Sequence, residues 1–150
     1  MNEKDAGVLT DQLYKTMNIL NREMKTAQDY GIGFPLYHSE VHLIDLIQKH
    51  EGANGKELAE THGVTTGAIW QTTKKLISKN LIESYQEPNN KKEVYYRLTD
   101  LGRKASEGHR RHHEALNAAF TQNAANHISD SDMKTVMRFL EMAAQYLHGG

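Results

Sequence analysis

Apolar residues recur at helical spacing near both ends of the chain. From about Val8 to Tyr30 they fall three or four residues apart, and the same pattern continues through the last segment, behind a capping Ser129 or Ser131. Each pattern predicts an amphipathic helix with one apolar stripe, which must be buried against something. We expect the two stripes to pair with a second copy of the chain, a bundle within one chain being the alternative. The stripe residues are Leu9, Leu13, Met17, Leu20 and Met24 in the first helix and Met133, Val136, Met137, Leu140, Ala144 and Leu147 in the last.

The middle of the chain has the elements of a complete small domain. Glycine residues separate its helical runs, and two strand-like runs flank the polar residues 87–92, which predicts an exposed hairpin. Thr99 is a good N-cap for the long helix that follows. The predicted fold class is therefore mostly α, with four helices, a hairpin and two further helices in that order. The predicted middle elements are helices at His38–His50, Lys56–His62 and Thr66–Lys79, strands at Ile82–Gln86 and Val94–Leu98, and a helix from Asp100 to about Asn123.

The composition limits the kind of protein. A chain of 150 residues with 25% charged and 38% hydrophobic residues suits one globular domain with extensions. The absence of Cys excludes disulfides, iron–sulfur clusters, thiolate zinc sites and thiol catalysis. The chain has no apolar run of about 18 residues and no signal-peptide core at its start, so we expect a cytoplasmic protein without a membrane partner. No nucleophile elbow, phosphate-cradling glycine loop or His-Glu-x-x-His motif supports an enzyme.

A short motif in the middle predicts a helix-turn-helix. Ala59 is small where two helices would cross closely, and Gly63, four residues later, permits the left-handed backbone of a sharp turn. Ile69 would fill the angle between the two helices. This spacing is typical of a helix-turn-helix whose second helix enters a DNA major groove, with an ordinary helical corner as the alternative. The other side chains expected on the inward face are Leu58, Val64, Thr73, Leu76 and Ile77.

Charge is unevenly distributed along the chain. The net charge is −1, but residues 55–104 carry nine Lys or Arg and six acids, a net +3, which leaves −4 for the remainder. Contact with phosphates requires clustered cations rather than a chain that is basic as a whole. Together with the motif, the basic middle favours double-stranded DNA as the partner. The alternative of a different class is a helical protein-interaction module without specific DNA binding.

The middle segment resembles the MarR family of bacterial transcriptional regulators. The resemblance lies in Lys56–Glu60, in Gly67–Ile69, in the turn Glu87–Lys92 and in Leu98–Gly102, and the order of elements extends it over essentially the whole chain. It implies a winged helix-turn-helix, the hairpin being the wing, that forms a homodimer through its terminal helices and binds a pseudo-palindromic promoter site. The implied domains are an N-terminal dimerisation helix at 8–36, a winged helix-turn-helix DNA-binding domain at 37–99 and C-terminal dimerisation helices at 100–148.

The resemblance also implies which residues meet DNA. Gln71 is suited to bidentate hydrogen bonding with adenine, and Lys74 or Lys75 to a phosphate. In the wing, Asn90-Lys91-Lys92 replaces the Asp-x-Arg usual in the family, so we expect weaker specificity for the minor groove. Trp70 is out of phase with the inward face, and we expect it either to contact sugar or thymine methyl groups or to pack against the wing or the short helix. The residues implied at DNA are Thr65, Thr66, Gly67, Ala68, Trp70, Gln71, Thr73, Lys74, Lys75, Lys91 and Lys92.

Nine histidines are many for this length, and two pairs have the spacing of metal ligands. His109 and His113 lie one helical turn apart, as do His38 and His42 at the start of the second helix. Without Cys, a set of His and carboxylate groups favours zinc, nickel or manganese. The alternative interpretation is an ordinary solvated face on a long helix.

The zinc-sensing AdcR/ZitR type within the MarR family has the most similar histidine pattern. That similarity implies His42, His109 and His113 as zinc ligands, completed by a carboxylate near Glu23. A second site of this type needs a Cys, which the chain lacks, and an acid that Val41 replaces. We expect an effector to modulate DNA affinity at the corner of the first, second and fifth helices, with zinc or another divalent metal as one candidate and a small phenolic or aromatic ligand as the alternative. The aromatic residues available for that alternative are Tyr14, Tyr30, Phe34 and Tyr37.

Overall fold

The computed structural model describes residues 2–148, and the side chains of residues 2–145. Its elements follow the predicted order, and the mostly helical class with a two-stranded wing is confirmed. The elements are α1 (Glu3–Met24), α2 (His38–Lys49), α3 (Gly55–His62), α4 (Thr66–Ser78), β1 (Ile82–Glu87), β2 (Asn90–Leu98), α5 (Asp100–Ala124) and α6 (Asp130–His148).

The chain divides into two compact units, with the boundary between Arg110 and Arg111 inside α5. The first unit holds α1 to α4, the wing and the start of α5, and the second holds the rest of α5 and α6. The sequence predicted three segments, defined by their expected roles in dimerisation and DNA binding: 8–36, 37–99 and 100–148. These functional segments stay a prediction.

A hydrophobic core fills the centre of the first unit. Its side chains come from the segment before α2, from α2, α3 and α4, and from the start of the wing. Ile44 and Leu76 are both 0% exposed, and full burial of an aliphatic side chain of this size contributes about 1.5–3 kcal/mol. The core therefore holds the helix-turn-helix and the wing together. Its largest fully buried members are Leu36, Val41, Leu43, Ile44, Ile47, Leu58, Leu76, Leu81, Ile82 and Thr73.

A buried ion pair ties α2 to the end of α4. Glu40 is 2% exposed, and its Oε1 accepts a hydrogen bond from Lys79 Nζ at 2.7 Å. The second carboxylate oxygen accepts the backbone N–H of Tyr37 at 2.9 Å and so helps to cap α2. The Lys79 side chain is 31% exposed, so removing it would leave a buried carboxylate that solvent only partly compensates. Lys79 therefore has a structural role and is not available for DNA.

The predicted helix-turn-helix is present between α3 and α4. Ala59 and Ile69 are 3% and 2% exposed, and Gly63 ends α3 with φ +68°, in the left-handed region that favours glycine. The Thr65 hydroxyl caps α4 by accepting the N–H of Ala68 at 3.2 Å.

Two of the expected inward side chains lie outside this core. Val64 is 40% exposed because it stands in the turn between Gly63 and the cap Thr65. Ile77 is 42% exposed, since eight residues after Ile69 the helix has turned about 80° away from the inward stripe. The inward stripe of α4 is therefore narrower than the sequence suggested.

The wing is an antiparallel hairpin with a tighter turn than expected. Its strands pair from Ile82 with Leu98 up to Glu87 with Asn90, with an irregularity between Tyr85 and Glu87. Only two residues, 88 and 89, form the turn, so Lys91 and Lys92 lie in β2 rather than in the predicted loop at 87–92. Successive residues of a strand point to opposite faces of the sheet. The two lysines at the wing tip are therefore expected to face in different directions.

The first helix ends earlier than the apolar spacing suggested, at Met24 instead of about Tyr30. The N–H groups of Lys25 and Thr26 bond three residues back, and in the loop beyond them the Asp29 carboxylate accepts the N–H groups of Gly31, Ile32 and Gly33 at 2.8–3.2 Å. These bonds, led by the one from Ile32, lower the pKa of the Asp29 carboxyl. A side chain that binds nearby backbone N–H groups competes with helix formation. Residues 25–37 consequently form a loop, closed by backbone pairing of Gln28 with Leu36.

The terminal helices keep their apolar stripes exposed. No residue of α1 is buried, and in α6 none of the side chains described, up to residue 145, is buried. Ser129 caps α6, since its hydroxyl accepts the N–H of Asp132 at 3.2 Å. Leu147, expected in the α6 stripe, has a side chain outside the described residues. The exposed apolar residues include Val8, Leu9, Met17, Leu20 and Met24 in α1, and Met133, Val136, Met137, Leu140 and Met142 in α6.

Within the described part of the chain, no helix has the length and apolar character that crossing a membrane requires.

Candidate functional site

The outward face of α4 is the first candidate site. Helical spacing places Thr66, Trp70 and Lys74 in one row and Gly67, Gln71 and Lys75 in the next, and all six are exposed. Thr73 departs from the expected DNA set, because its side chain is 1% exposed and its hydroxyl donates to the carbonyl of Trp70 at 3.0 Å. Its place in the inward stripe, four residues after Ile69, explains this burial.

Trp70 stands on this face without packing into the core. The residue is 56% exposed, so both expectations for it, contact with DNA or packing against the wing or the short helix, stay predictions. The Nζ of Lys74 lies 3.5 Å from the ring centroid, within the range of a cation–π interaction. α4 contains no acidic residue. The exposed face of this helix therefore combines the apolar side chains of Trp70 and Ile77 with neutral and cationic ones.

Ion pairing separates structural cations from available ones. Lys79 pairs with Glu40, Arg97 with Glu83 at 2.9 Å, and Arg103 with Asp100 at 2.5 Å. Among the residues that the structure describes, no ion pair engages the four lysines of the two expected DNA elements, Lys74 and Lys75 in α4 and Lys91 and Lys92 in the wing. These four lysines therefore keep their charges available for phosphates at α4 and at the wing tip.

Asn90 braces the wing at the position where the resemblance led us to expect an acid. Its Nδ2 donates to the Tyr95 hydroxyl at 3.2 Å, and its Oδ1 accepts the N–H of Lys92 at 3.3 Å. Tyr95 also stacks beside Tyr85 across the hairpin, with ring centroids 5.6 Å apart. The wing tip therefore has side-chain hydrogen bonds even though the acid is absent.

The second candidate site lies in the first unit, where α2 faces the start of α5. His109 is only 4% exposed, and its Nδ1 lies 2.6 Å from Asp45 Oδ2. The other oxygen of Asp45 accepts the hydroxyl of Ser106 at 2.6 Å. Burial by itself would raise the pKa of the Asp45 carboxyl, but the bonds from His109 and Ser106 outweigh it and lower that pKa. An ionised Asp45 accepts a hydrogen bond from a proton on His109 Nδ1, and the Nε2 of that ring then points away from the carboxylate.

Histidines cluster around His42 in the same place. The ring of His42 lies 3.8 Å from that of His38, 5.1 Å from that of His109 and 6.3 Å from that of His62, between centroids. Burial, followed by the positive charges of His38 and His109, lowers the pKa of His42 to about 4. His42 is consequently neutral at physiological pH, the form in which imidazole binds a metal.

Two close backbone contacts fix the start of α5, and the one at Gly108 lies beside His109. A Cβ on Gly108 would lie 1.8 Å from the carbonyl oxygen of Tyr30, and one on Gly102 would lie 2.0 Å from that of Leu81. Only glycine lets the loop and the helix approach so closely. The Tyr30 ring meets the edge of His109 at 5.2 Å between centroids. Burial, and then the charge of Asp45, raise the pKa of the Tyr30 hydroxyl, which keeps it protonated.

Three of the four expected metal ligands form one group. Ligand nitrogens of His42, His109 and His113 all lie within 4.8 Å of one another. Glu23 is outside this group: its side chain is 65% exposed and its carboxylate lies 3.6 Å from Arg22. The donor set is therefore imidazole alone, with Asp45 behind His109 as a hydrogen-bonding partner, which is the arrangement common around zinc.

The aromatic residues expected for a phenolic pocket are in different environments. Tyr30 is buried and Phe34 packs against the core, whereas Tyr14 and Tyr37 are 54% and 52% exposed. These four aromatic residues are therefore divided between the core and the surface.

Sequence reasoning missed Asp45, Ser106 and Gly108. Asp45 follows His42 by three residues, so both lie on one face of α2, and that spacing was the available signal. Ser106 likewise precedes His109 by three residues in α5. The need for glycine at position 108 has no local signal, since it depends on a carbonyl distant in sequence.

Fold and exposed recognition helix together define a winged helix-turn-helix protein. Residues 36–94 match the model of the MarR family. The chain is 30% identical over 147 residues to the HTH-type transcriptional regulator PchR of Bacillus subtilis (strain 168), covering 98% of this chain and 81% of that protein. The chain belongs to the MarR family, and like its relatives it is a transcriptional regulator rather than an enzyme.

Solved structures of the family have the same fold. The adhesin competence repressor AdcR from Streptococcus pyogenes superposes with a TM-score of 0.75 at 17% identity, over 93% of this chain and 97% of that one. ZitR from Lactococcus lactis, described as a zinc-responsive MarR family member, superposes in its complex with DNA with a TM-score of 0.72 at 19% identity, over 93% and 97% of the two chains.

Proposed function

We propose that this regulator is a homodimer that binds a pseudo-palindromic promoter site and whose DNA affinity is set by zinc or another divalent metal at His42, His109 and His113. The single observation that carries the proposal is the group of three histidine nitrogens within 4.8 Å, with Asp45 hydrogen-bonded to His109. A solvated helix face would not require a buried histidine with an ionised partner.

The DNA part rests on the two surfaces already described. α4 offers polar and cationic side chains, with no acid, at the spacing of a recognition helix. Lys91 and Lys92 at the wing tip add charges suited to phosphates or to the minor groove. ZitR, which shares this fold, is described in complex with DNA. These features support a protein whose α4 reads bases while the wing attracts the backbone.

The dimer part rests on exposed apolar surface. Leu20 of α1 is 56% exposed, and Phe120 of α5 and Met137 of α6 are 61% and 51% exposed. Amphipathic helices leave such stripes exposed only when a partner covers them. A second copy satisfies this requirement and also explains a site with two half-sites, because dimer symmetry matches operator symmetry.

The metal part rests on the chemistry of the donor set. His42 is neutral at physiological pH, so a metal would not have to displace its proton. Asp45 fixes the ring of His109 and directs its Nε2 away from the carboxylate. When bound, a divalent metal would add a positive charge and cross-link α2 to α5.

A physical path leads from His42 to the recognition helix. His42 and Glu40 both belong to α2, and Glu40 holds Lys79 at the end of α4 through the buried 2.7 Å pair. A metal that fixes the position of α2 would therefore bias the position of α4. Because two recognition helices must reach successive major grooves, a small change in their positions alters DNA affinity.

The test is to purify the protein without a polyhistidine tag, measure its metal content, and titrate zinc into a gel-shift assay with fragments of its own promoter. We expect DNA affinity to change about tenfold or more with zinc, a typical allosteric coupling. His42→Ala and His113→Ala should remove this change, and Asp45→Asn should weaken zinc binding about 10–100-fold. His112→Ala is the matched control, because it alters the neighbouring histidine outside the group.

Each part can fail separately. Equal DNA affinity with zinc and with chelator would overturn the metal proposal, and a response to salicylate-like phenols under those conditions would favour the phenolic alternative. Weak binding of equal strength to every duplex would overturn specific promoter recognition. A monomeric mass in solution at all concentrations would overturn the homodimer.

A further inference from the structure

Trp70 is the largest apolar side chain on the face of α4 that would enter DNA. It is 56% exposed, whereas Ile69 beside it is 2% exposed and supplies the core contact of that turn. The core therefore does not need the indole. An exposed tryptophan gives up favourable burial, so its surface position calls for a partner outside the chain.

Neighbouring residues prepare this indole for contact. Lys74, one turn later, places its ammonium 3.5 Å from the ring centroid and covers one face of the ring. This cation–π contact restricts the rotamers of Trp70 before any ligand arrives, which lowers the entropy lost on binding. One turn earlier, Gly67 has no side chain, and a Cβ there would meet only Thr65 Oγ1, at 4.0 Å. No side chain protrudes from the helix at position 67 beside Trp70, so another molecule can approach the backbone there closely.

The surrounding charge favours a polyanion over a protein surface. The exposed residues around Trp70 include Thr66, Gln71, Lys74 and Ile77, with Lys75 one residue further, and α4 has no acid. In the major groove, the apolar group available to an indole is the 5-methyl group of thymine, which protrudes from the base edge. Phosphates flank every base, so Lys74 or Lys75 can contact the backbone while the indole contacts the base.

We propose that Trp70 is a specificity-determining residue that reads a thymine in each half-site through its 5-methyl group, while Lys74 orients the indole and contacts the adjacent phosphate. This inference rests on the proposed function, in which α4 enters the major groove. It adds the chemical group that is read and the side chain that reads it.

Uracil in place of thymine provides the sharpest test, because the change removes the methyl group and keeps every base-pairing atom. A duplex would first be selected from a randomised pool with the wild-type protein, and each thymine in its half-sites would then be replaced by deoxyuridine in turn. Fluorescence anisotropy gives the dissociation constant of each duplex. For wild type, we expect one thymine position per half-site to lose about fourfold in affinity, the factor for one buried methyl-sized group.

Variants then connect the lost methyl to Trp70. Trp70→Ala should bind the thymine duplex about tenfold more weakly and should no longer distinguish uracil from thymine at that position. Trp70→Phe should keep part of the discrimination. Lys75→Gln is the matched control: we expect it to weaken both duplexes by the same factor and to reduce the salt dependence by about one counterion. Circular dichroism and the melting temperature should match wild type, since positions 70 and 75 are exposed.

The outcomes separate this inference from the function on which it rests. If wild type selects no duplex, the proposed function fails and the inference fails with it. If wild type selects a duplex but tolerates uracil at every position, promoter recognition stands and the reading of a methyl group is wrong. If Trp70→Ala discriminates against uracil as strongly as wild type does, another residue reads the methyl group and the assignment to Trp70 is wrong.

Discussion

α1 and α2 are both amphipathic helices, and they use their apolar faces in opposite ways. Five residues of α2 are buried, including Ile44 at 0% exposure. No residue of α1 is buried, and Leu20 is 56% exposed. Apolar spacing predicts a helix equally well in both cases, because it records which face is apolar and not what covers that face. The comparison shows that α2 stabilises the chain itself, whereas the described residues of its own chain leave the apolar face of α1 exposed.

Replacing one leucine by alanine in each kind of helix face should give the largest difference in stability between them. Leu76→Ala, in α4 and packed in the same core as α2, should lower the free energy of unfolding by about 2–5 kcal/mol, because the surroundings cannot fill the cavity. The loss should be the same at every protein concentration if the core belongs to one chain. Urea denaturation followed by circular dichroism measures it.

Leu20→Ala removes the same atoms from α1 and should behave differently. We expect little change in the unfolding of a dilute sample, but a weaker dimer and a loss of stability that grows with protein concentration. Sedimentation at several concentrations measures the dimer. A concentration-independent loss as large as that of Leu76→Ala would mean that α1 is covered by its own chain.

Sequence reasoning succeeded where a local rule decides the structure. The caps Thr99 and Ser129 and the left-handed Gly63 set the ends of helices, and each was visible in the sequence. Sequence reasoning failed at the end of α1, where the N–H groups of Lys25 and Thr26 bond three residues back and Asp29 then binds the backbone of residues 31–33. Apolar spacing does not record such bonds, so the predicted helix was about six residues too long.

The histidine site shows the same limit at longer range. The spacing of His109 and His113 places both on one face of α5, which a sequence can show. The bond between Asp45 and His109 joins residues 64 positions apart, and only the fold brings them together. The resemblance supplied His42, but it supplied neither Asp45 nor Gly108, because hydrogen-bonding partners and close backbone approaches depend on this chain's own packing.

Gly108→Ala would test how closely the histidine site depends on packing in the first unit. The added Cβ would lie 1.8 Å from the Tyr30 carbonyl oxygen, so the loop or the helix must shift. We expect a loss of about 1–3 kcal/mol in the free energy of unfolding, as for other overpacked positions, together with weaker metal binding because His109 is the next residue. Thermal unfolding and a competitive zinc titration measure the two effects.

The matched control is Gly55→Ala at the start of α3, where an added Cβ would meet nothing within 4 Å. It should leave stability unchanged or raise it slightly, by up to about 1 kcal/mol, because alanine favours helix more than glycine does. Equal losses in the two variants would show that the close approach at Gly108 does not matter.

The smallest expected effect is a pH dependence that belongs to the half-buried His42. Burial, followed by the charges of His38, His109 and His62, lowers the pKa of His42 from its ordinary 6.5 to about 4, against the opposing charge of Asp45. Between these two values the unfolded chain binds a proton that the folded chain does not, so stability is full above pH 6.5 and falls as the pH approaches 4. After allowance for solvent screening of a partly exposed ring, we expect a loss of about 1 kcal/mol across this window.

Metal-free protein, unfolded thermally at intervals across that window, would show the dependence, and His42→Gln should flatten it. Asp45 acts in a separate range: its lowered pKa means that its contribution is lost only below the ordinary range of a carboxyl. None of the described residues of α1 is buried, so Leu20→Ala should leave the dependence of stability on pH unchanged. If the stability of His42→Gln fell with pH as steeply as that of wild type, the pH dependence would belong to other groups. There would then be no reason to expect that His42 is neutral and ready to bind a metal at neutral pH.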